Sequence, residues 1–416
     1  MNTYYPLRRR FAVGALVVCV ALLFCVVGAS AQEVSGDLGA GAGIFRPKNP
    51  ETTSKRRAPN RPRPTPNANP RPTHTVNPAE VEERYEDALD EGNEARDGRK
   101  FLDAERAYRG AQTIKPGDWR AAYGLGNIYT DQQRWDEAER AYRQAVTLNS
   151  SKAEVQIALS FVLIQPRTGN SNNARLLADA ETSARRAIQL QPANAIPYDR
   201  LGAALEARGI TDNNTEQAYR RAIELDQQFA VAYVHLARLL RKMNRVQEAE
   251  PLYHRAEELA HDAPTLVLIA EALQSEQRWD DAEPLLKRAI EMDARNPSAL
   301  YFLGRMLVVR KRYEEAEPIL KRAIEVSPHS FAPYYVLGSA YLRQERFDDA
   351  ERTDLRVAEF ATGNNRKLLA GAYGLEGVGD GYIRAGRRAD ALRVYLRAQQ
   401  LDPTSTSLQA KIASAR

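Results

Sequence analysis

A period of about 34 residues runs along the chain from residue 85 to about 405 and constrains its fold more than any other feature. The unit from Trp119 to Lys152 carries it most clearly. Numbered from its first residue, Leu125, Gly126 and Tyr129 fall at positions 7, 8 and 11. Ala138, Tyr142 and Ala145 fall at positions 20, 24 and 27. Each set follows one stripe of a helix, so two amphipathic helices are expected, joined by a turn near Gln133 and Arg134. The frame returns as Leu303, Gly304, Leu307, Ala316, Leu320, Ala323 and Pro328. It returns again as Leu337, Gly338, Tyr341 and Ala350, and as Gly379, Tyr382, Ala391, Tyr395, Ala398 and Pro403. Units therefore begin near residues 85, 119, 153, 195, 230, 263, 297, 331 and 372.

Elementary packing explains the pattern. Gly or Ala at positions 8 and 20 removes bulk where the paired helices meet, and position 27 does so against the next pair. Large residues at 4, 7, 11 and 24 fill the surrounding space. Proline at 32 ends the second helix. An aromatic at position 17 (Phe101, Trp135, Trp279, Tyr313, Phe347) opens the second helix and is expected to pack the turn. Two units are longer than the rest, by insertions around Gln165–Asn173 and Ala361–Arg366. The last segment, Thr404–Arg416, suits a helix that caps the stack.

This pattern resembles the tetratricopeptide repeat family over nearly all of residues 85–405. The resemblance implies an all-α fold: a right-handed superhelical solenoid of about nine helix-turn-helix repeats plus a C-terminal capping helix, within residues 79–416. It further implies that the first helix of each pair lines a concave groove through positions 2, 5, 9, 12 and 13. A partner protein or extended peptide would bind there. The unit at 230 places Val231, Val234, Arg238, Arg241 and Lys242 at those positions. The units at 297 and 331 contribute Tyr301, Arg305, Tyr335 and Arg343. This set is basic and aromatic, so an acidic extended segment is the expected partner. Exposed ion pairs supply only about 0–1 kcal/mol each, whereas micromolar affinity needs about 8 kcal/mol. Burial of Tyr301, Tyr335 and the valines is therefore expected to supply most of the binding energy. The family's carboxylate clamp, with Lys and Asn at positions 5 and 9 of the first unit, is not matched: Asn93 is present, but Leu89 replaces the Lys.

Outside the repeats the chain changes character. Arg8, Arg9 and Arg10 precede an apolar run from Phe11 to Val27, and Ala29-Ser30-Ala31 offers a cleavage site before Gln32. Residues 1–31 thus read as a secretory signal peptide, which predicts an exported protein, periplasmic or secreted. The alternative is an uncleaved run, residues 11–27, anchoring an assembly factor of an envelope complex. Cys19 and Cys25 both lie in that run, so a cleaved chain would contain no cysteine. Residues 32–78, Gly/Ala-rich and then Pro/Arg-rich, are expected to form a disordered linker.

Charge and motifs exclude several functions. The net charge is +5, yet the N-terminal tails carry all the excess and leave about −3 for residues 79–416. A basic face for nucleic acid is therefore not expected. The histidines (His74, His235, His254, His261, His329) are scattered and expected at the surface. His254 and His261 fall two turns apart but lack a third ligand at metal spacing. No phosphate loop, nucleophile elbow or H-E-x-x-H motif occurs. Repeats also consume the length that a catalytic domain would need. The expected function is a non-catalytic protein–protein interaction scaffold of the cell envelope or exported space, with no catalytic residue, cofactor or metal.

Overall fold

The computed structural model describes residues 47–52, 77–165 and 173–416. The expected signal peptide, most of the expected linker and the insertion at 166–172 lie outside the described residues. The chain divides into two compact units, one ending at Leu259 and one running from Ala260 to Arg416. Among the described residues there are 20 helices and no strand.

The first unit pairs α1 (Pro78–Asp97) with α2 (Phe101–Ile114), α3 (Trp119–Asp131) with α4 (Trp135–Leu148), and α5 (Ala153–Leu163) with α6 (Asn173–Leu190). It continues with α7 (Ala195–Ala207) on α8 (Asn213–Leu225) and α9 (Ala230–Lys242) on α10 (Val246–Leu259). The second unit pairs α11 (Ala263–Ser275) with α12 (Trp279–Met292), α13 (Pro297–Val309) with α14 (Tyr313–Val326), and α15 (Phe331–Arg343) with α16 (Phe347–Ala358). After α17 (Gly363–Ala370), α18 (Leu375–Arg384) pairs with α19 (Arg388–Leu401), and α20 (Thr406–Ala415) packs on α19 as the cap. Within each unit every pair stacks on the next, which is the all-α repeat architecture expected from the sequence. One helix exceeds the nine pairs and cap: the insertion around Ala361–Arg366 winds into α17, which packs on α19.

Local chemistry sets the helix ends. Several first helices start under side-chain caps: Asp118 accepts from Arg120 N, Asn194 from Ile196 N and Asn296 from Ala299 N. Most second helices have no such cap and begin with acidic residues in the first turn, such as Asp136 and Glu137, whereas α8 is capped by Asp212, which accepts from Asn214 N and Thr215 N. The turn between paired helices passes through a left-handed residue at position 15. Gly209 and Gly386 serve in two units, but Arg99, Gln133, Asn244, Gln277, Lys311 and Glu345 adopt φ of 56–61° elsewhere. Side chains there are strained relative to glycine.

The glycine at position 8 faces the large residue at position 24 of its partner helix. A Cβ on Gly92 would lie 2.6 Å from the Tyr108 ring, and one on Gly304 2.6 Å from Leu320. Gly126 and Tyr142 meet in the same way. Position 17 packs as expected: Trp135 meets Phe161 edge-on at 6.4 Å, and Phe347 meets Tyr382 at 6.0 Å. One repeat departs from the pattern. Asp354 fills the position-24 slot of the unit at 331, is 1% exposed, and has no hydrogen-bond partner for either carboxylate oxygen. Burial, reinforced by Glu351, raises its pKa well above the usual carboxylate range.

Successive repeats are also tied at the start of their second helices. Arg312 pairs with Glu315 of its own repeat and with Glu283 of the preceding one. Arg346 does the same with Asp349 and Glu317 and lies 4.3 Å from the centre of the Tyr341 ring. Arg134, Arg245 and Arg387 repeat the arrangement.

A candidate peptide groove in the first two repeats

Helices α1 and α3 present one row of polar side chains, and the described residues Pro47–Thr52 lie along it. Asn93 and Asn127 both occupy position 9 of their repeats. Tyr108 donates its hydroxyl proton to Asn93 Oδ1 at 2.8 Å, and Tyr142 to Asn127 Oδ1 at 2.9 Å. Each tyrosine thereby fixes an amide with its NH2 outward. Asn93 Nδ2 donates to the Pro50 carbonyl at 3.1 Å, and Asn127 Nδ2 to the Lys48 carbonyl at 2.9 Å.

Two arginines extend the row. Arg96, 1% exposed, grips Asp131 through Nε at 2.7 Å and Nη2 at 2.9 Å. That fork leaves its Nη1 to donate to the Pro47 carbonyl at 2.7 Å and to Asn49 Oδ1 at 2.8 Å. Burial would lower the Arg96 pKa, but Asp131 raises it, so the guanidinium stays charged. Arg120 is anchored by Asp118 and Glu86 and donates to the Glu51 carbonyl at 3.0 Å. Burial works against the Asp118 carboxylate, yet hydrogen bonds from Arg120 hold its pKa below the usual value. Asn49 Nδ2 donates to Asp97 at 3.0 Å and Thr52 Oγ1 to Asp90 at 2.7 Å. Four backbone carbonyls and two side chains of one short segment are thus bound. Residues 47–52, which fall within the expected linker at 32–78, thus lie against the first two repeats. Hydrogen bonds to the backbone hold them, and low hydrophobicity does not register that kind of affinity.

The residues singled out from the sequence sit differently. In the first unit, Val231 and Val234 are buried in α9 and offer little surface to a partner. Arg238 lies 3.5 Å from Glu206 and Lys242 pairs with the same carboxylate, while Arg241 pairs with Glu250 at 3.0 Å. Burial would raise the Glu206 pKa, but these cations hold it down to about 2. In the second unit, Tyr301 is fully buried and Tyr335 nearly so. Arg305 donates to Gln274 at 2.7 Å, and Arg343 lies 5.5 Å from the Tyr373 ring centre. The structure thus brings Arg238 and Lys242 together on one acid. The aromatic and valine burial expected to drive binding is already complete in the fold. His235 corrects the expectation of surface histidines: it is buried, with Nδ1 2.7 Å from Asp199, which also holds Arg200. His254, His261 and His329 are exposed.

Models described as tetratricopeptide repeat match residues 89–153 and 267–334, 310–364, and 232–264. The chain is a tetratricopeptide repeat protein. The solved structures similar to this repeat protein include TTC0263 of Thermus thermophilus, at 20% identity over 46% of this chain and 99% of that one, with a TM-score of 0.40. Another is YrrB, described as a TPR protein with an unusual peptide-binding site, at 21% identity over 42% of this chain and 91% of that one, with a TM-score of 0.32. Yeast Tom70 matches at 13% identity over 80% of this chain and 95% of that one, with a TM-score of 0.40. No curated protein matches the chain significantly. Tetratricopeptide repeats typically serve as non-catalytic scaffolds for protein–protein interaction.

Sequence reasoning reached Asn93 but weighed it only against a Lys-containing clamp. The missed signal was the recurrence of Asn at position 9 in the next repeat, Asn127, each with Tyr at position 24 of the same repeat. Nothing in the residue pattern pointed to the segment at 47–52 as their counterpart.

Proposed function

We propose that this tetratricopeptide repeat protein captures a partner as an extended peptide along α1 and α3. The supporting observation is the pair of tyrosine-fixed amides, Asn93 and Asn127, each turned toward a backbone carbonyl. Such a row reads backbone before sequence, and a non-catalytic scaffold needs no more chemistry than that. Arg238, Arg241 and Lys242, and separately Arg305 and Arg343, are proposed only as rim charges that orient an acidic stretch and speed encounter. The N-terminal pattern of basic, apolar and small residues supports work in the exported space, periplasmic or secreted.

Two measurements test this reading. Affinity capture from the native envelope fraction should recover a partner with the wild-type chain and lose it with Asn93→Ala/Asn127→Ala; equal recovery by both would remove the groove from the function. Mass spectrometry of the native protein should find Gln32 at its N-terminus, whereas an intact Met1 would favour membrane anchoring through residues 11–27.

A further inference from the structure

We infer that Pro47–Thr52 is a tethered ligand of this groove, and that a captured partner carries the same Pro-Xaa-Asn-Pro pattern and has to displace it. The inference rests on the peptide-groove reading above and adds the identity of the occupant. Burial along the segment follows the pattern of a recognised motif: Pro47 and Pro50 are buried, Asn49 and Thr52 half-buried, Lys48 and Glu51 exposed. The exposed pair contributes backbone carbonyls to Asn127 and Arg120 but no side-chain readout. Asn49 is read on both edges of its amide, its oxygen by Arg96 and its NH2 by Asp97. Aspartate there would place a second carboxylate against Asp97, and alanine would lose both bonds. The prolines preset the backbone, which lowers the entropy lost on binding.

The groove is built without the segment. Asp131 orients Arg96, Asp118 and Glu86 orient Arg120, and the tyrosines orient both asparagines; all these partners belong to the repeats. A site that is preorganised by its own scaffold is a binding site rather than a fold element completed by the segment. The 24 residues between Thr52 and Asn77 serve as the tether. Covalent linkage makes the segment's binding intramolecular, with effective concentrations on the order of millimolar for short linkers. A free peptide of equal intrinsic affinity therefore competes poorly until its local concentration, or additional contacts, exceed that level.

The test uses full-length chains and a fluorescein-labelled peptide of residues 45–54, with binding read by fluorescence anisotropy. A chain in which a Gly/Ser sequence of equal length replaces residues 47–52 should bind the peptide at least about ten-fold more tightly than wild type. Adding Asn127→Ala to that chain should weaken binding about ten-fold, as should alanine in place of Asn49 in the peptide. Equal affinity for the wild-type and Gly/Ser chains, with the Asn127 dependence retained, would overturn the tethered ligand and leave the groove intact. Binding that is absent, or indifferent to Asn127, would overturn both readings. The single substitution Asn49→Ala in the full chain keeps both prolines and the backbone. It should raise peptide affinity by a smaller factor, so the result does not depend on the fold tolerating the longer replacement; no gain would again overturn the tethered ligand.

Discussion

The repeats at 85 and 119 and the repeat at 331 share one backbone device and use it to opposite ends. Each sets a glycine at position 8 against the side chain at position 24. In the first two that side chain is Tyr108 or Tyr142, whose hydroxyl reaches an asparagine at position 9 and turns its amide outward. In the third it is Asp354, buried without a partner, while Ser339 at position 9 donates to Val336 O of its own helix at 2.8 Å. A slot defined by steric exclusion thus becomes a recognition element only when its occupant is polar at the far end and long enough to reach the neighbouring helix. Packing leaves the slot, and the side chain within it decides whether the groove has chemistry.

The largest expected effect contrasts two glycines. Gly126→Leu drives a branched chain into the rigid Tyr142 ring and also breaks the bond to Asn127, so it should cost about 3 kcal/mol or more. Gly304→Leu meets the flexible Leu320 and should cost roughly 1–3 kcal/mol. Urea unfolding of both variants measures the gap; equal losses would mean that the position-24 residue plays no part in the cost.

Asp354→Leu comes next and should stabilise the protein by roughly 1–3 kcal/mol, since it copies the Gly304–Leu320 contact and removes a buried unpartnered carboxyl. It should also flatten a pH dependence. The folded-state pKa is raised well above the ordinary aspartate value, with Glu351 and Tyr335 nearby adding no positive charge. The protonated carboxyl therefore favours the fold at acid pH, and that contribution is lost as pH rises through the folded pKa. Thermal melts across mildly acid to neutral pH should show the wild type losing stability relative to the variant as pH rises. A constant difference would contradict the burial of a neutral acid.

A smaller effect separates the two uses of position 24. Tyr142→Phe keeps the ring and removes the hydroxyl, which should cost about 1 kcal/mol of stability. It should also weaken capture of the Pro-Xaa-Asn-Pro peptide by a Gly/Ser-replaced chain, because Asn127 loses the contact that fixes its amide. Full retention of affinity would show that the amide orients itself.

Smallest of all, Glu345→Gly relieves a left-handed residue in the repeat at 331 and should stabilise it by about 0.5–1 kcal/mol. The same exchange at Gln133, in the repeat at 119, should do the same. Chemical denaturation would detect either, and a loss at one site alone would reveal a side-chain contact beyond the turn.

The fold was legible because its determinants are periodic. Gly126, Ala138 and Tyr142 recur in phase, and helix pairs follow from spacing alone. The candidate site was legible only in part. Periodicity marks which residues face the groove, but not what they touch. Arg238 and Lys242 looked available because Glu206 stands 32 and 36 residues away in sequence, in another repeat. Tyr301 and Val234 looked like contact surface because position 5 lines the groove on average, whereas here both are sealed by neighbouring packing. Asn127 was visible as a residue, yet its meaning depends on a segment 79 residues earlier. The helix α17 was hidden for a related reason: an insertion breaks the frame, and no neighbouring unit supplies a template for it.

The arginines that open the second helices have a consequence for how the repeats come apart. Arg312 and Arg346 each bridge two consecutive repeats at the solvent edge, where mobile ions reach them, while the helix pairs they join are held by buried apolar side chains such as Leu303, Leu320 and Leu337. Added salt acts on the first kind of link and largely spares the second. Raising ionic strength should therefore shorten the stretch of chain that melts as one block and leave each hairpin intact. The broadening of the transition, more than its midpoint, would record how many of these clasps hold neighbouring repeats in step.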